Sequence, residues 1–141
     1  ISKAGMKMIF QPKAFVFHKH PDTLWKFLKQ KFWRGYWRVL LYKIHKNKIF
    51  RHSYTPKSLY VEIGLLGFSI ILILLSLFEI ISPIFGLIFL LLTIILTFPL
   101  SYKIFKKDKI IGILSPIIII LRNFATGLGI LYGMINMLKK K

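Results

Sequence analysis

Four polar residues spaced four apart run through a basic, aromatic stretch near the start of the chain: Lys26, Gln30, Arg34 and Arg38. Side chains at this spacing share one face of an α-helix. A guanidinium offers paired donors that match phosphate oxygens, and an amide can bond a sugar hydroxyl. This set, called the basic row below, is therefore suited to a phosphate-bearing substrate or to membrane headgroups.

The opposite face of the same segment, residues 22–41, is apolar. Its half-circle contains Leu24, Trp25, Leu28, Phe32, Trp33, Tyr36, Val39 and Leu40. Such an amphipathic helix is typical of the membrane interface, where each basic residue near anionic lipids contributes about 1 kcal/mol. Pro21 and Asp22 are typical of a helix start. Gly35 lies mid-helix, where glycine costs about 1 kcal/mol relative to alanine, and indicates close approach by another backbone or a ligand.

Charge and hydropathy together identify the class of protein. The 141 residues are 55% hydrophobic and carry 22 Lys+Arg against four acids. A soluble domain is nearer charge balance and less apolar, so this composition predicts an integral membrane protein with basic flanks. We expect no nucleic-acid partner, because the charge is interleaved with apolar runs of membrane length. The lack of cysteine excludes disulfides and thiolate chemistry.

Two apolar runs, residues 59–78 and 81–100, are each long enough to cross a bilayer and are separated by two residues. They predict a transmembrane hairpin, with Glu62 in the first turn facing the interface. Basic segments 1–57 and 102–109 flank the hairpin, and its turn has no Lys or Arg. The positive-inside rule therefore places both segments in the cytoplasm, and we expect the cell membrane as location.

A third apolar segment, residues 110–138, contains Pro116 and Arg122. An arginine in mid-bilayer costs about 2.5–3.5 kcal/mol on the insertion scale, which favours a break near Pro116 or Arg122. Arg122 could bind a lipid phosphate or snorkel at that break. Gly129 and Gly133 form a GxxxG pattern suited to close helix packing.

The first 20 residues read as short extended segments, and His18 and His20 form an H-x-H pattern. The pair could hold a divalent metal from one side of a strand, or could be an interfacial histidine pair without a ligand.

The predicted fold is a mainly α membrane protein. Its parts are extended segments (1–20), an amphipathic interface helix with a basic linker (21–57), a transmembrane hairpin (58–100), a cytoplasmic basic loop (101–109) and a third, broken hydrophobic helix with a basic tail (110–141). We expect it to be the C-terminal part of a longer protein.

Residues 3–38 resemble the junction between catalytic domain and membrane anchor in family 2 glycosyltransferases. The matching positions are Gly5, Pro12, Val16, His18, Leu24, Phe27, Leu28, Gln30, Phe32 and Gly35. The stretch "RNFATGLGILYG" (122–133) is similar to the family's last segment. The resemblance implies the end of a GT-A α/β catalytic domain followed by its membrane anchor.

The resemblance also implies a function for the full-length enzyme. It would transfer a sugar from a nucleotide-sugar donor to a lipid-linked or polysaccharide acceptor at the cytoplasmic membrane face, using Mg²⁺ or Mn²⁺. Residues implied in substrate binding are His18, Gln30, Trp33 and Arg34. Processive relatives carry Gln-x-x-Arg-Trp in this helix, whereas here Trp33 precedes Arg34, which weakens the argument for polymer synthesis.

No carboxylate pair for acid–base catalysis occurs in this chain, so this part alone cannot catalyse transfer. Two other classes stay open. One is a non-enzymatic basic membrane subunit that binds anionic lipids or a partner protein, with Lys26, Arg38 and Arg122 as lipid contacts. The other is part of a transporter or channel.

Overall fold

The computed structural model describes residues 11–12, 15, 17, 20–44 and 58–139. Their helices are α1 (Leu24–Ile44), α2 (Ser58–Ser76), α3 (Pro83–Phe105) and α4 (Lys109–Lys139). Of the described residues, 85% are helical and none is in a strand, which confirms the mainly α prediction. Most of the predicted extended segments lie outside the described residues, and the GT-A domain stays a prediction.

Three of these helices are long and apolar enough to cross a membrane. They are α2, α3 and α4, with hydropathies of 2.3, 2.5 and 1.8 over their most apolar windows. The chain is therefore a membrane protein, while the membrane that holds it and its orientation stay predictions. The hairpin of α2 and α3 turns through Glu79, whose φ of 58° lies in the left-handed region.

Small side chains line the contacts among the apolar helices. Thr93, Thr97 and Ser101 of α3 are buried. Each donates its hydroxyl to a carbonyl of its own helix, at 2.9, 2.7 and 3.1 Å respectively. Small residues let transmembrane helices approach closely, and these internal bonds remove the cost of the buried hydroxyls.

Helix α4 is continuous from Lys109 to Lys139, so the predicted break at Pro116 or Arg122 is wrong. Pro116 has no N–H and cannot donate to the Gly112 carbonyl four residues earlier. The Ser115 hydroxyl donates to that carbonyl instead, at 2.7 Å. A serine hydroxyl can satisfy a backbone acceptor freed by proline within an apolar helix, so the helix continues through this position.

Helix α1 packs directly against α4 through glycines. Gly35 is buried, and a Cβ there would overlap the Thr126 carbonyl oxygen. A Cβ at Gly129 would overlap the Phe32 carbonyl, and one at Gly133 would lie 3.1 Å from the Tyr36 carbonyl oxygen. The close backbone approach expected at Gly35 is therefore present, and the GxxxG glycines of α4 supply the other side.

Some residues of the apolar half-circle of α1 pack against α4, and others are exposed. Phe32 and Tyr36 lie against the ring of Tyr132 on α4, at centroid distances of 5.8 and 5.7 Å. Trp25 and Trp33 remain 75% and 40% exposed. Part of the face predicted to contact lipid thus packs on α4 instead, and the exposed tryptophans are left available to the membrane.

We predict that Gly35→Ala destabilises the α1–α4 contact by about 1–3 kcal/mol, because the added methyl overlaps a backbone carbonyl that cannot rotate away. The matched control is Gly67→Ala on α2, where a Cβ meets nothing within 4 Å. Alanine should be neutral or stabilising there. Unfolding in detergent micelles measures both variants, and equal stability would contradict the packing of α1 on α4.

We further predict that Lys107→Cys is labelled from the cytoplasmic side and Ile80→Cys from the opposite side. The reason is that Lys107 follows α3 in a basic loop, whereas Ile80 lies in the exposed hairpin turn, which has no Lys or Arg. The natural chain contains no cysteine to interfere. Labelling of Lys107→Cys from the outer face alone would reverse the orientation.

Candidate anion-binding site

A buried polar network joins α2 to α4. The Asn123 side-chain amide donates to Glu62 Oε2 at 2.7 Å, and Arg122 Nη2 donates to the same oxygen at 3.3 Å. Arg122 also donates to Asn123 Oδ1, at 2.9 Å from Nη2. Asn123 is fully buried and Glu62 nearly so. The three side chains therefore satisfy one another within the apolar helices.

Two predictions about the residues of this network are wrong. Glu62 does not face the interface; its carboxylate is buried against α4. Arg122 does not snorkel at a helix break, since α4 is unbroken and the guanidinium pairs within the protein. A buried charge is costly unless it is paired and hydrogen-bonded. The ion pair with Glu62, together with Asn123, meets that condition.

Further cations surround Arg122. Lys31 of α1 is half-buried, and its burial, followed by the positive charges of Arg34, Arg122 and Arg38, lowers its pKa from the ordinary value. The three arginines thus lie near Lys31, and these four residues are called the basic cluster below. Their surplus over the single Glu62 carboxylate makes the position strongly electropositive.

Two tyrosines lie at the edge of the basic cluster. The Arg38 guanidinium lies 5.9 Å from the ring centre of Tyr60 at the start of α2. The hydroxyls of Tyr42 and Tyr60 are hydrogen-bonded to each other. Burial, together with this bond, raises the pKa of Tyr42 to about 12. The Tyr42 hydroxyl is therefore protonated at neutral pH, and the contact ties the end of α1 to α2.

The four residues of the basic row lie in different surroundings. Lys26 pairs with Asp22 at 2.7 Å on the exposed first turn of α1. Arg34 and Arg38 belong to the basic cluster, with Arg34 exposed and Arg38 half-buried. Gln30 is half-buried. The structure thus brings Arg34, Arg38 and Arg122 together and leaves Lys26 apart.

Trp33 lies beside this row, 40% exposed, with its ring edge-on to Phe32 and Tyr36 at 5.6 and 5.4 Å. Its neighbours fix the indole while one part stays accessible. It therefore offers an apolar surface one residue before Arg34.

Lys31 belongs to the cluster but was not predicted as a site residue. It stands between the apolar and basic faces of the helical wheel, and its proximity to Arg122 depends on how α1 crosses α4. In the sequence, Gly35 and the GxxxG glycines each indicate a close approach, but glycines do not specify which flank of a helix meets its neighbour.

The structure does not test the predicted pairing of His18 with His20. His18 lies outside the described residues, and His20 is exposed just before α1. Within the described ranges there is no group of three or more His, Cys, Asp or Glu residues able to hold a metal. The divalent ion implied by the resemblance stays a prediction.

The acids of the chain cannot neutralise the basic cluster. Besides Glu62 the sequence has Asp22, Glu79 and Asp108. Asp22 pairs with Lys26, Glu79 lies in the α2–α3 turn at the far end of α2, and Asp108 accepts from the Ile111 N–H at the start of α4. Glu62 is therefore the carboxylate that lies beside Arg122 in this part of the protein.

Comparison with family models, with curated proteins and with solved structures finds no match for this chain. The function of this chain is therefore inferred from the chemistry and geometry of the residues described above.

We predict that Glu62→Leu costs about 3–5 kcal/mol, because it leaves the Arg122 guanidinium without its carboxylate in an apolar setting. The double variant Glu62→Leu/Arg122→Leu should be more stable than Glu62→Leu alone, since no unpaired charge remains. Unfolding in detergent gives the coupling between the two positions. Strictly additive losses would show that the pair is not coupled.

Proposed function

We propose that this chain is the membrane-anchoring, C-terminal part of a glycosyltransferase. The enzyme transfers a sugar from a nucleotide-sugar donor to a lipid-linked or glycan acceptor at the cytoplasmic face of the cell membrane. The sequence resemblance over residues 3–38 motivates this proposal. The structural observation that supports it most is the way α1 is attached to the membrane helices.

Helix α1 is fixed on one side and open on the other. Phe32, Gly35 and Tyr36 contact α4, while Arg34 remains exposed. By the helical period, Gln30 and Arg34 project from the half of α1 opposite that contact. A soluble catalytic domain resting on α1 would meet this open face.

The open face has the chemistry that a nucleotide-sugar site requires. In the proposed enzyme Arg34 binds the donor diphosphate through its paired N–H groups, and Gln30 bonds a sugar hydroxyl. Trp33 supplies an apolar surface beside them. Preorganised cations at a phosphate stabilise the charge that develops on the leaving diphosphate. The carboxylates for acid–base work come from outside this chain.

The second candidate is a non-enzymatic membrane subunit that binds anionic lipids. The basic cluster favours it, because electropositive groups next to apolar helices attract anionic headgroups without any catalytic partner. The two candidates differ in what Arg34 must do. Lipid attraction needs only its charge, whereas a diphosphate site needs the planar guanidinium.

We predict that Arg34→Lys and Gln30→Ala each lower kcat/KM of sugar transfer by about tenfold or more in the full-length enzyme. The expected size follows from losing a charge-assisted or site-specific hydrogen bond. The matched control is Lys29→Gln, which removes a charge from an exposed position of the same helix. It should leave transfer unchanged.

The assay compares initial transfer rates with membrane association measured in the same preparations. Unchanged transfer in both Arg34→Lys and Gln30→Ala, with membrane association intact, would refute the substrate role and favour the lipid-binding subunit.

A further inference from the structure

The loop between α3 and α4 concentrates positive charge at the ends of two helices that are long and apolar enough to cross a membrane. Four exposed lysines lie here: Lys103, Lys106, Lys107 and Lys109. They are called the loop lysines below. Because only residues 106–108 separate α3 from α4, the loop lysines lie close together along the chain.

The backbone of this loop is held by its own hydrogen bonds. The N–H groups of Lys107 and Asp108 both donate to the Ile104 carbonyl, each at 2.9 Å. The two helix ends also touch directly, since a Cβ at Gly112 would overlap the Cα of Phe105. The loop therefore keeps its lysines in one small region at the helix ends.

The acid in this stretch does not neutralise the loop lysines. Asp108 is the one carboxylate between residues 102 and 112. Its Oδ1 accepts from the Ile111 N–H at 3.0 Å, as a helix-capping aspartate does. In the part of the chain that the structure describes, no carboxylate pairs with a loop lysine.

The cations predicted from the sequence to contact lipid differ in this respect. Lys26 pairs with Asp22 at 2.7 Å, and Arg122 pairs with Glu62 at 3.3 Å. Arg38 is half-buried and lies over an aromatic ring at the start of α2. Since these three are engaged within the protein, the exposed loop lysines are more available to an external anion.

Exposed apolar side chains flank the loop lysines on both sides. Phe105 is exposed at the end of α3, and Ile110 is 75% exposed at the start of α4. Lys106 lies over the ring of Tyr102, with its Nζ 4.8 Å from the ring centre. A tyrosine ring with its polar tip is typical of the level of the lipid headgroups. The charges of the loop therefore lie at the surface of the apolar layer.

The length of α3 agrees with this position. Its 23 residues extend over about 34 Å at a rise of about 1.5 Å per residue. The hydrocarbon core of a bilayer is about 30 Å thick, which about 20 residues cross. A helix that enters the core at Pro83 therefore leaves it near Tyr102, and the loop lysines then lie among the headgroups of that leaflet.

We propose that the α3–α4 loop binds an anionic phospholipid of the membrane. The headgroup lies among the loop lysines, and an acyl chain lies along the exposed rings of Phe98 and Tyr102, which stack with their centres 6.3 Å apart. Charge complementarity selects this occupant, because four lysines face one carboxylate that is already bonded to the backbone.

An acidic protein surface fits this loop less well. The loop lysines are flanked by apolar side chains, which a phospholipid covers with its acyl chains and an acidic surface does not. The proposal also goes beyond the proposed function, because the lipid site lies on α3 and α4 rather than on the open face of α1. Binding can therefore be measured without any transfer assay.

The headgroup test uses the chain in detergent micelles and native mass spectrometry. The probes are phosphatidylglycerol, which is anionic, and phosphatidylcholine with the same acyl chains, which is neutral overall. We expect the natural chain to bind phosphatidylglycerol at least about tenfold more tightly. The double variant Lys106→Gln/Lys107→Gln should lower that preference by about tenfold or more, because each lysine near an anionic surface contributes about a fivefold factor.

Two further variants separate this site from general charge. The control Lys29→Gln/Lys43→Gln removes the same charge from exposed positions of α1 and should keep the preference. Lys106→Arg/Lys107→Arg retains both charges and should keep it as well. Thermal unfolding of each variant verifies the fold, which these exposed side chains should leave unchanged.

Equal binding of the two phospholipids by the natural chain would overturn the proposal and favour an acidic protein partner for the loop. Equal losses in the loop variant and the α1 control would also overturn it, because general charge would then explain the binding. Loss of the preference in the arginine variant would contradict recognition by charge. Selective binding that persists in a full-length protein without transfer activity would count against the glycosyltransferase proposal alone.

Discussion

The close approach of α1 to α4 is the contact on which the arrangement of this protein depends. Gly35 on one helix and Gly129 on the other have no side chain, so backbone touches backbone. Without a hydrophobic driving force in lipid, dispersion at short range becomes the main attraction between helices. Because α1 is otherwise rich in Lys and Arg, this contact is what brings its charges beside the start of α2 and the middle of α4.

Because the chain has few acids, the contact between α1 and α4 brings cations together with few carboxylates near them. In most proteins a group of four cations would be matched by nearby carboxylates. Here Glu62 is the one acid in the cluster, and it is already hydrogen-bonded to Asn123 and Arg122. The pKa of Lys31 is lowered first by burial and then by the positive charges of Arg34, Arg122 and Arg38.

Much of the helical architecture could be predicted from the sequence, because hydrophobic length and charge placement specify it directly. The spans of α2 and α3 and the amphipathic nature of α1 follow from composition and period alone. The break in α4 was predicted wrongly because Pro116 was weighed without Ser115, whose hydroxyl replaces the missing donor. The burial of Glu62 against α4 could not be predicted for a different reason. Its partners lie about 60 residues away, in α4, and no local pattern indicates such a pairing.

Single residues of the candidate site could be predicted from the sequence, but not their grouping. Arg34, Arg38 and Arg122 are predicted as phosphate or lipid contacts from residue type, but their grouping around Lys31 requires the crossing of α1 and α4. The apolar groove between α2 and α4, which Gly64 and Gly67 help to line, could not be foreseen at all, since these two look like ordinary small residues of a transmembrane helix. They differ from the buried glycines of the four helices, which meet a neighbouring helix, because Gly64 and Gly67 are exposed and face open space. A helix pays for each glycine in backbone entropy. In α4 the close contact with α1 offsets that cost, whereas on the groove face of α2 no protein contact does, which leaves a ligand or the lipid itself to fill the space.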